Sequence, residues 1–278
     1  MNRIITAAIA LPVLIACILY PPLKLLFVAL AAAAIVIALY EFWFLSKRVG
    51  AKPDIVVGYA ATAALLVGFI FDAEPLLLIL CVLLLVAGAL VAEMLRGAPF
   101  DKMIVSVGST VLGVLYVVLL GGHLISLRLS FPQSALDHPN SFSISTHLLS
   151  YFFLVLMGSD TGAYYTGRTF GKHKLAPSVS PGKTWEGAFG GMAASLLLAA
   201  LSHYWFFPEI SLAAALALAA VMNVLGVVGD LTESALKRGA KAKDTAQILP
   251  GHGGLLDRLD SLLFNAPLIY YFALVYWR

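Results

Sequence analysis

Long apolar stretches separated by short polar connections make up most of this chain. Nine such stretches lie at about residues 4–20, 25–44, 55–71, 76–92, 103–125, 147–165, 187–207, 211–229 and 259–277. Each approaches the roughly 20 residues that an α-helix needs to cross about 30 Å of hydrocarbon. The stretches are continuously apolar rather than alternating, and a helix satisfies its own backbone hydrogen bonds in lipid, so helices are favoured over a barrel. The pattern predicts an all-α polytopic membrane protein with about nine transmembrane helices.

Composition supports this fold class. Hydrophobic residues make up 61% of the 278 positions and charged residues only 12%, which excludes an ordinary soluble domain. We expect one integral membrane domain over residues 1–278, in which the spans of residues 1–125 act mainly as a scaffold. Cys17 and Cys81 lie within predicted spans and indicate neither a disulfide framework nor a metal site.

The distribution of lysine and arginine predicts the orientation. If the connections alternate sides, fifteen of the 18 basic residues fall on the side of the N-terminus. The other side receives only Lys24, Arg128 and Arg278. The positive-inside rule then places the N-terminus in the cytoplasm and, for an odd number of spans, the C-terminus outside.

Polar residues that could take part in catalysis or binding are concentrated in three segments between residues 147 and 278. The first segment runs from Ser159 to Gly187 and combines Asp160 and Glu186 with several cations among glycines, serines and prolines. Such a loop can surround an anion with cations and backbone N–H groups. Lys183 lies in a Gly-Lys-Thr triplet, but Pro177 stands where a phosphate-binding P-loop needs glycine. A basic loop that only sets topology is the alternative.

The second segment is the end of span eight. Asp230, Glu233, Ser234 and Lys237 are spaced three and four residues apart and therefore share one helical face. Two carboxylates, a hydroxyl and an ammonium on one face can hold a metal and a phosphate together. The alternative is a solvated helix end with a Glu233–Lys237 pair worth about 0.3 to 0.5 kcal/mol.

The third segment leads into span nine. Glycines and Pro250 turn the chain back towards the membrane, and Asp257 and Asp260 follow on one helical face with Arg258 between them. Hard oxygen ligands of this kind suit Mg²⁺, and no paired histidines or cysteines favour zinc. A structural hydrogen bond or a phosphate contact explains the lone His252 as well as acid–base chemistry does.

These segments carry a resemblance to a known family. Residues 234–260, SALKRGAKAKDTAQILPGHGGLLDRLD, are similar to the signature of the phosphatidate cytidylyltransferases, also called CDP-diacylglycerol synthases. The similarity extends to the Asp-Thr-Gly-Ala-Tyr sequence from Asp160 and to Ser180–Gly187, whereas the first five spans match only in topology. The resemblance implies transfer of cytidylyl from CTP to phosphatidate with Mg²⁺ as cofactor. Whether a second cation takes part is left open. It also implies an active site on the cytoplasmic face of the inner membrane, and it suggests a homodimer.

The motifs assign roles to particular residues. The catalytic candidates are Asp230, Asp257, Lys183, Lys237 and Arg258. The substrate-binding candidates are Asp160, Arg168, Lys172, Glu186, Ser234, Arg238, Lys243, Asp244, His252, Gly253 and Gly254. The metal candidates are Asp230 and Asp257, with Asp260 and Glu233 as secondary ligands.

Two other function classes stay open. Carboxylates at the ends of spans can bind and pass cations, as in a cation-coupled transporter, although the charges here cluster on one membrane face. A CTP-dependent lipid kinase would use similar groups. The aspartate pattern of CDP-alcohol phosphotransferases is absent from the sequence, and we expect no nucleic-acid partner.

Overall fold

The computed structural model describes residues 2–131, 143–245 and 253–277, with side chains from residue 11 onward. Its helices are α1 Asn2–Leu19, α2 Lys24–Arg48, α3 Ile55–Ile70, α4 Pro75–Arg96, α5 Met103–Gly113, α6 Leu120–Ser130, α7 Ile144–Phe170, α8 Trp185–Trp205, α9 Leu212–Gly239 and α10 Leu256–Trp277. A π-helical turn, Val114–Leu119, joins α5 and α6 into one continuous helix. Each of the nine predicted apolar stretches overlaps a helix, so the all-α prediction is confirmed.

Six of these helices are long and apolar enough to cross a membrane, counted within the described ranges. They are Pro21–Arg48, Pro75–Arg96, Met103–Ser130, Trp185–Trp205, Leu212–Gly239 and Leu256–Trp277, and Ile55–Ile70 is a shorter apolar helix. The protein is therefore a multi-pass helical membrane protein. The count of about nine spans stays a prediction.

Local sequence signals explain where several helices begin. Side chains of Asp54, Ser143, Thr184 and Ser211 accept hydrogen bonds from backbone N–H groups in the first turns of α3, α7, α8 and α9. Such caps satisfy N–H groups that have no partner inside the helix. Pro75 begins α4, where its missing N–H costs nothing.

The buried apolar residues form two large clusters. One cluster joins α7, α9 and α10 with residues from α1, α6 and α8. The other cluster joins α2 and α3 with the continuous helix Met103–Ser130 and with Leu256 and Leu263 of α10. Because α10 contributes to both clusters, the first and second halves of the chain meet along this helix.

Small residues let α7 and α8 approach closely. A methyl group on Gly191 would lie 3.0 Å from the carbonyl oxygen of Ser159, and one on Gly187 would lie 2.9 Å from that of Ala163. Ser195, four residues further on, is fully buried. The face of α8 formed by Gly187, Gly191 and Ser195 therefore packs against α7, as small residues do between membrane helices.

Candidate active site

An antiparallel hairpin connects α7 to α8 and carries the first group of candidate residues. Strand β1, Lys174–Ala176, pairs with β2, Ser180–Thr184. Thr184 ends β2 and caps α8 by accepting a 3.1 Å hydrogen bond from Gly187 N. Lys183 therefore lies on a strand and not in a phosphate-binding loop, in agreement with the sequence-based rejection of a P-loop.

Glu186 organises the entry to this hairpin. Its carboxylate accepts hydrogen bonds from the backbone N–H groups of Lys172 and His173, and it contacts His173 Nδ1 at 2.6 Å. With these partners, the predicted substrate-binding carboxylate holds the chain between α7 and β1. Its position in the structure is that of a residue supporting the hairpin.

A cavity of about 510 Å³ lies between the hairpin and the ends of α7, α8 and α9. Its charged lining comes from Asp160 and Arg168 of α7, Lys183 of β2 and Asp230 of α9. The structure thus brings together residues that are up to 70 positions apart in the sequence, all of which the motifs identified. Apolar residues such as Leu156 and Val227 line the same cavity, so it is suited to a molecule with both charged and apolar parts.

A short ion pair in the cavity joins the hairpin to α9. Lys183 Nζ lies 2.6 Å from Asp230 Oδ2, and the two side chains are 24% and 39% exposed. Ser234, one turn further along α9, donates a long 3.4 Å hydrogen bond to Asp230 Oδ1. Both groups of the pair can still be reached from the cavity.

Three carboxylates from three helices act on one another near this pair. Asp160 of α7 and Asp260 of α10 each interact electrostatically with Asp230 and with Lys183. Gly229 makes the approach of α9 to α10 close, since a methyl group there would lie 2.6 Å from Asp260 O. The helix packing therefore brings three carboxyl groups near Lys183.

The donor chemistry of this group fits Mg²⁺, which binds carboxylate oxygens. Within residues 2–131, 143–245 and 253–277, however, no three acidic, histidine or cysteine side chains converge as a metal cage. Mg²⁺ is commonly held by one or two carboxylates together with substrate phosphates and water. Asp230 contacts Lys183 and is 39% exposed, and its role as a metal ligand stays a prediction.

A second group surrounds Lys237 on the next turns of α9. Lys237 Nζ lies 2.5 Å from Glu233 Oε2 and 2.8 Å from Asp257 Oδ1. Asp257 Oδ2 accepts hydrogen bonds from Gly254 N at 2.8 Å and from the N–H and hydroxyl of Thr245. Both oxygens of Asp257 are thus occupied by protein donors in this conformation. Its role as a metal ligand stays a prediction.

The remaining candidates that the structure describes differ in their contacts and exposure. Arg168 donates to Tyr164 Oη at 3.0 Å, and Arg238 donates to Val179 O of the hairpin turn at 3.3 Å. Exposed positions are occupied by Lys172, Lys243, Asp244 and Arg258. Gly253 has a φ of +78°, a conformation that glycine adopts readily. His252 lies outside the described residues.

The structure adds residues that the motifs did not indicate. Glu41 of α2 is fully buried and contacts the chain just before α10. Tyr116, on the π-helical turn, is 7% exposed, and its hydroxyl interacts electrostatically with Glu233, Asp260 and Asp230. At the base of the cavity, Asn223 Nδ2 donates to Ser159 Oγ at 2.6 Å. A lone acid inside the apolar stretch 25–44 was a usable signal for Glu41, because an ionisable residue in a span is costly.

Taken with the fold, this site defines a class: a polytopic helical membrane protein with acidic and basic side chains gathered around one cavity, as phosphate chemistry requires. Comparison with known proteins gives the family. Residues 1–276 match the cytidylyltransferase family, and the chain belongs to it.

Individual relatives agree with this family. The chain is similar to the phosphatidate cytidylyltransferase of Haemophilus influenzae, with 45% identity over 129 residues that cover 45% of each chain. It is 44% identical over 123 residues to that of Staphylococcus haemolyticus, covering 44% of this chain and 47% of the relative. A longer match, 34% identity over 204 residues, covers 68% of this chain and 69% of the phosphatidate cytidylyltransferase of Synechocystis sp.. The first two matches span a little under half the length of these relatives.

Proposed function

We propose that this protein transfers the cytidylyl group of CTP to phosphatidate, giving CDP-diacylglycerol and pyrophosphate. The observation that carries the proposal is the cavity in which Asp160, Arg168, Lys183 and Asp230 converge at the ends of membrane helices. The cytidylyltransferase family membership and the names of the relatives direct this chemistry to CTP and phosphatidate.

The reaction requires alignment and charge neutralisation more than a strong base. A phosphatidate oxygen, already anionic near neutral pH, forms a bond to the α-phosphorus of CTP. The bond from the α-phosphorus to the bridging oxygen breaks, and pyrophosphate leaves with that electron pair. Two polyanions must therefore be held in line despite their repulsion, which positioned cations accomplish.

The residues of the cavity divide this work between them. Lys183 and Arg168 can contact phosphate oxygens, because both line the cavity and Lys183 is 24% exposed. Asp230, with Asp160 and Asp260 beside it, would hold Mg²⁺, which when bound neutralises and orients the triphosphate. Lys183 would then exchange its contact with Asp230 for one with phosphate.

The second group would help to fix the geometry of the site. Lys237 bridges Glu233 and Asp257, and Asp257 accepts a hydrogen bond from the N–H of Gly254, two residues before α10. Lys237 could also donate to a phosphate, since its ammonium has three N–H donors. The assignments of Arg238, Lys243 and Arg258 to phosphates belong to this proposal.

The proposal includes a place in the cell. With its N-terminus in the cytoplasm, the protein would cross the inner membrane about nine times and open the cavity to the cytoplasm. The hairpin with Lys174 and Lys183 would lie on that side. We also propose a homodimer, which the family resemblance suggests.

The deciding experiment measures which phosphate of CTP is transferred to the lipid. Purified protein in detergent is incubated with phosphatidate, Mg²⁺ and CTP labelled at the α-phosphate, and label is measured in the lipid phase. Transfer from the α-position, with release of pyrophosphate, is expected. Lipid label that comes only from γ-labelled CTP would instead establish a lipid kinase. Nucleotide-independent solute uptake by proteoliposomes, without label transfer, would establish a transporter.

A further inference from the structure

One buried acid in the first half of the chain contacts the catalytic half directly. Glu41, near the end of α2, has no exposed surface. Among the residues that the structure describes, its charge is met by hydrogen-bond donors, and no ion pair forms with it. Its donors lie more than 200 positions along the chain.

These donors belong to the entrance of α10. Leu255 N donates to Glu41 Oε1 at 2.9 Å, and Leu256 N donates to Oε2 at 2.7 Å. Since α10 begins at Leu256, these N–H groups have no acceptor within the helix and lie at its positive end. Glu41 therefore caps α10 from another helix.

Thr245 extends the contact from Glu41 to the site. Its hydroxyl lies 3.2 Å from Glu41 Oε2 and 3.0 Å from Asp257 Oδ2, and its N–H donates to the same oxygen of Asp257 at 3.2 Å. Asp257 in turn contacts Lys237. A continuous polar chain thus runs from α2 through a buried threonine to α9.

We propose that Glu41 is a positioning residue for the site: through Thr245 and the first turn of α10 it fixes the carboxylate of Asp257 and the ammonium of Lys237. The inference rests on the proposed cytidylyl transfer for its effect on rate. It extends the functional part of the chain into α2, which the sequence assigned to the scaffold.

Packing alone does not account for an acid at this position. Burying a carboxylate is costly, and an apolar side chain would fill the same space without that cost. What the carboxylate adds is two hydrogen bonds from the entrance of α10 and a contact with the hydroxyl of Thr245, whose one proton is shared between Glu41 and Asp257. Small displacements of reacting groups can reduce a rate about 100-fold, so such fixation has a kinetic consequence.

The test compares matched variants of the protein in detergent. Glu41→Gln keeps the size of the side chain but removes its charge and places N–H donors against N–H donors. Thr245→Val removes the bridging hydroxyl, and Thr245→Ser retains it. Trp43→Phe is the control for general damage to α2, because it removes a buried hydrogen bond to Ser109 O that does not involve the site.

Two readouts are measured for each variant. We expect Glu41→Gln and Thr245→Val to lower kcat about 10- to 100-fold. KM for CTP should change less than about threefold, because the cations that line the cavity, Lys183 and Arg168, lie outside the polar chain that starts at Glu41. Amide exchange in the segment 253–260 should become faster in both variants. Thr245→Ser and Trp43→Phe should keep the exchange rate of this segment, and their kcat per folded molecule should stay close to that of the unchanged protein.

The inference is overturned if Glu41→Gln leaves exchange in this segment unchanged, or if its loss of kcat is no greater than that of Trp43→Phe. If Glu41→Gln destabilises the protein, the comparison of Thr245→Val with Thr245→Ser decides instead. Equal kcat values for these two variants would also overturn the inference. If the unchanged protein transfers no label, the proposed function fails. The exchange measurement then still decides whether Glu41 holds the segment.

Discussion

Replacing Lys183 by alanine separates a catalytic role from a purely topological one. Its ammonium lies 2.6 Å from Asp230 and lines the cavity, with 24% of the side chain exposed. If Lys183 contacts phosphate in the transition state, its removal should cost about 2.7 to 4 kcal/mol, or about 10²- to 10³-fold in kcat. If the hairpin only sets orientation, the rate should hardly change.

The same substitution should have little effect on stability. Asp230 is 39% exposed, so solvent screens the ion pair, and its loss should cost about 0.2 to 1 kcal/mol. In a chain of this size 1 kcal/mol shifts the thermal midpoint by about 2 to 4 °C. A large rate loss with a midpoint shift in this range would therefore arise at the site and not from unfolding.

The assay measures transfer of α-labelled cytidylyl to lipid over a range of CTP concentrations, beside a thermal melt in the same detergent. Lys174→Ala is the matched control, since it removes an equal charge from the other strand of the hairpin. The reasoning is refuted if Lys183→Ala retains kcat within about threefold of Lys174→Ala.

Three further predictions concern the second carboxylate group, the helix packing and the orientation. Asp257→Asn should abolish label transfer, because the amide cannot satisfy both Lys237 and the donors of Gly254 and Thr245. The variant should stay folded and inserted, and substantial residual turnover would contradict the prediction. Gly162→Val at the α7–α8 contact should lower the thermal midpoint, since even a methyl group there would lie 2.9 Å from a backbone oxygen. In the control Gly182→Ala, the added methyl group meets nothing within 4 Å, so this variant should melt like the unchanged protein. In a cysteine-free background, an impermeant thiol reagent added outside right-side-out vesicles should label Glu74→Cys and not Ser178→Cys, and the reverse labelling would invert the orientation.

The sequence predicted most of the helices because hydrophobic length is a local property. The stretch 211–229 predicted the membrane part of α9, but the helix continues to Gly239, so it carries Asp230 and Lys237 beyond the apolar run. Helical spacing correctly predicted the contact between Glu233 and Lys237. The contact of Lys237 with Asp257 was not predictable in this way, since it depends on how α10 packs against α9.

The candidate site was predicted as a set of residues but not as two groups. Motifs identified Lys183 and Asp230 individually, and only the fold of the hairpin showed that they touch. Glu41 was missed because its donors are 204 to 215 positions away, beyond the reach of any periodic pattern. Tyr116 was missed because a tyrosine in an apolar stretch has the same sequence signature whether its hydroxyl faces lipid or a carboxylate.

The cap that Glu41 provides for α10 also has a consequence for synthesis. A ribosome adds about 5 to 20 residues per second, so the 214 positions between Glu41 and Leu255 take about 10 to 40 seconds to produce. Throughout that time α2 carries an acid whose final donors do not yet exist. A chain interrupted before α10 would therefore carry this carboxylate without its two backbone donors, so the buried position of Glu41 is completed only when α10 has been made.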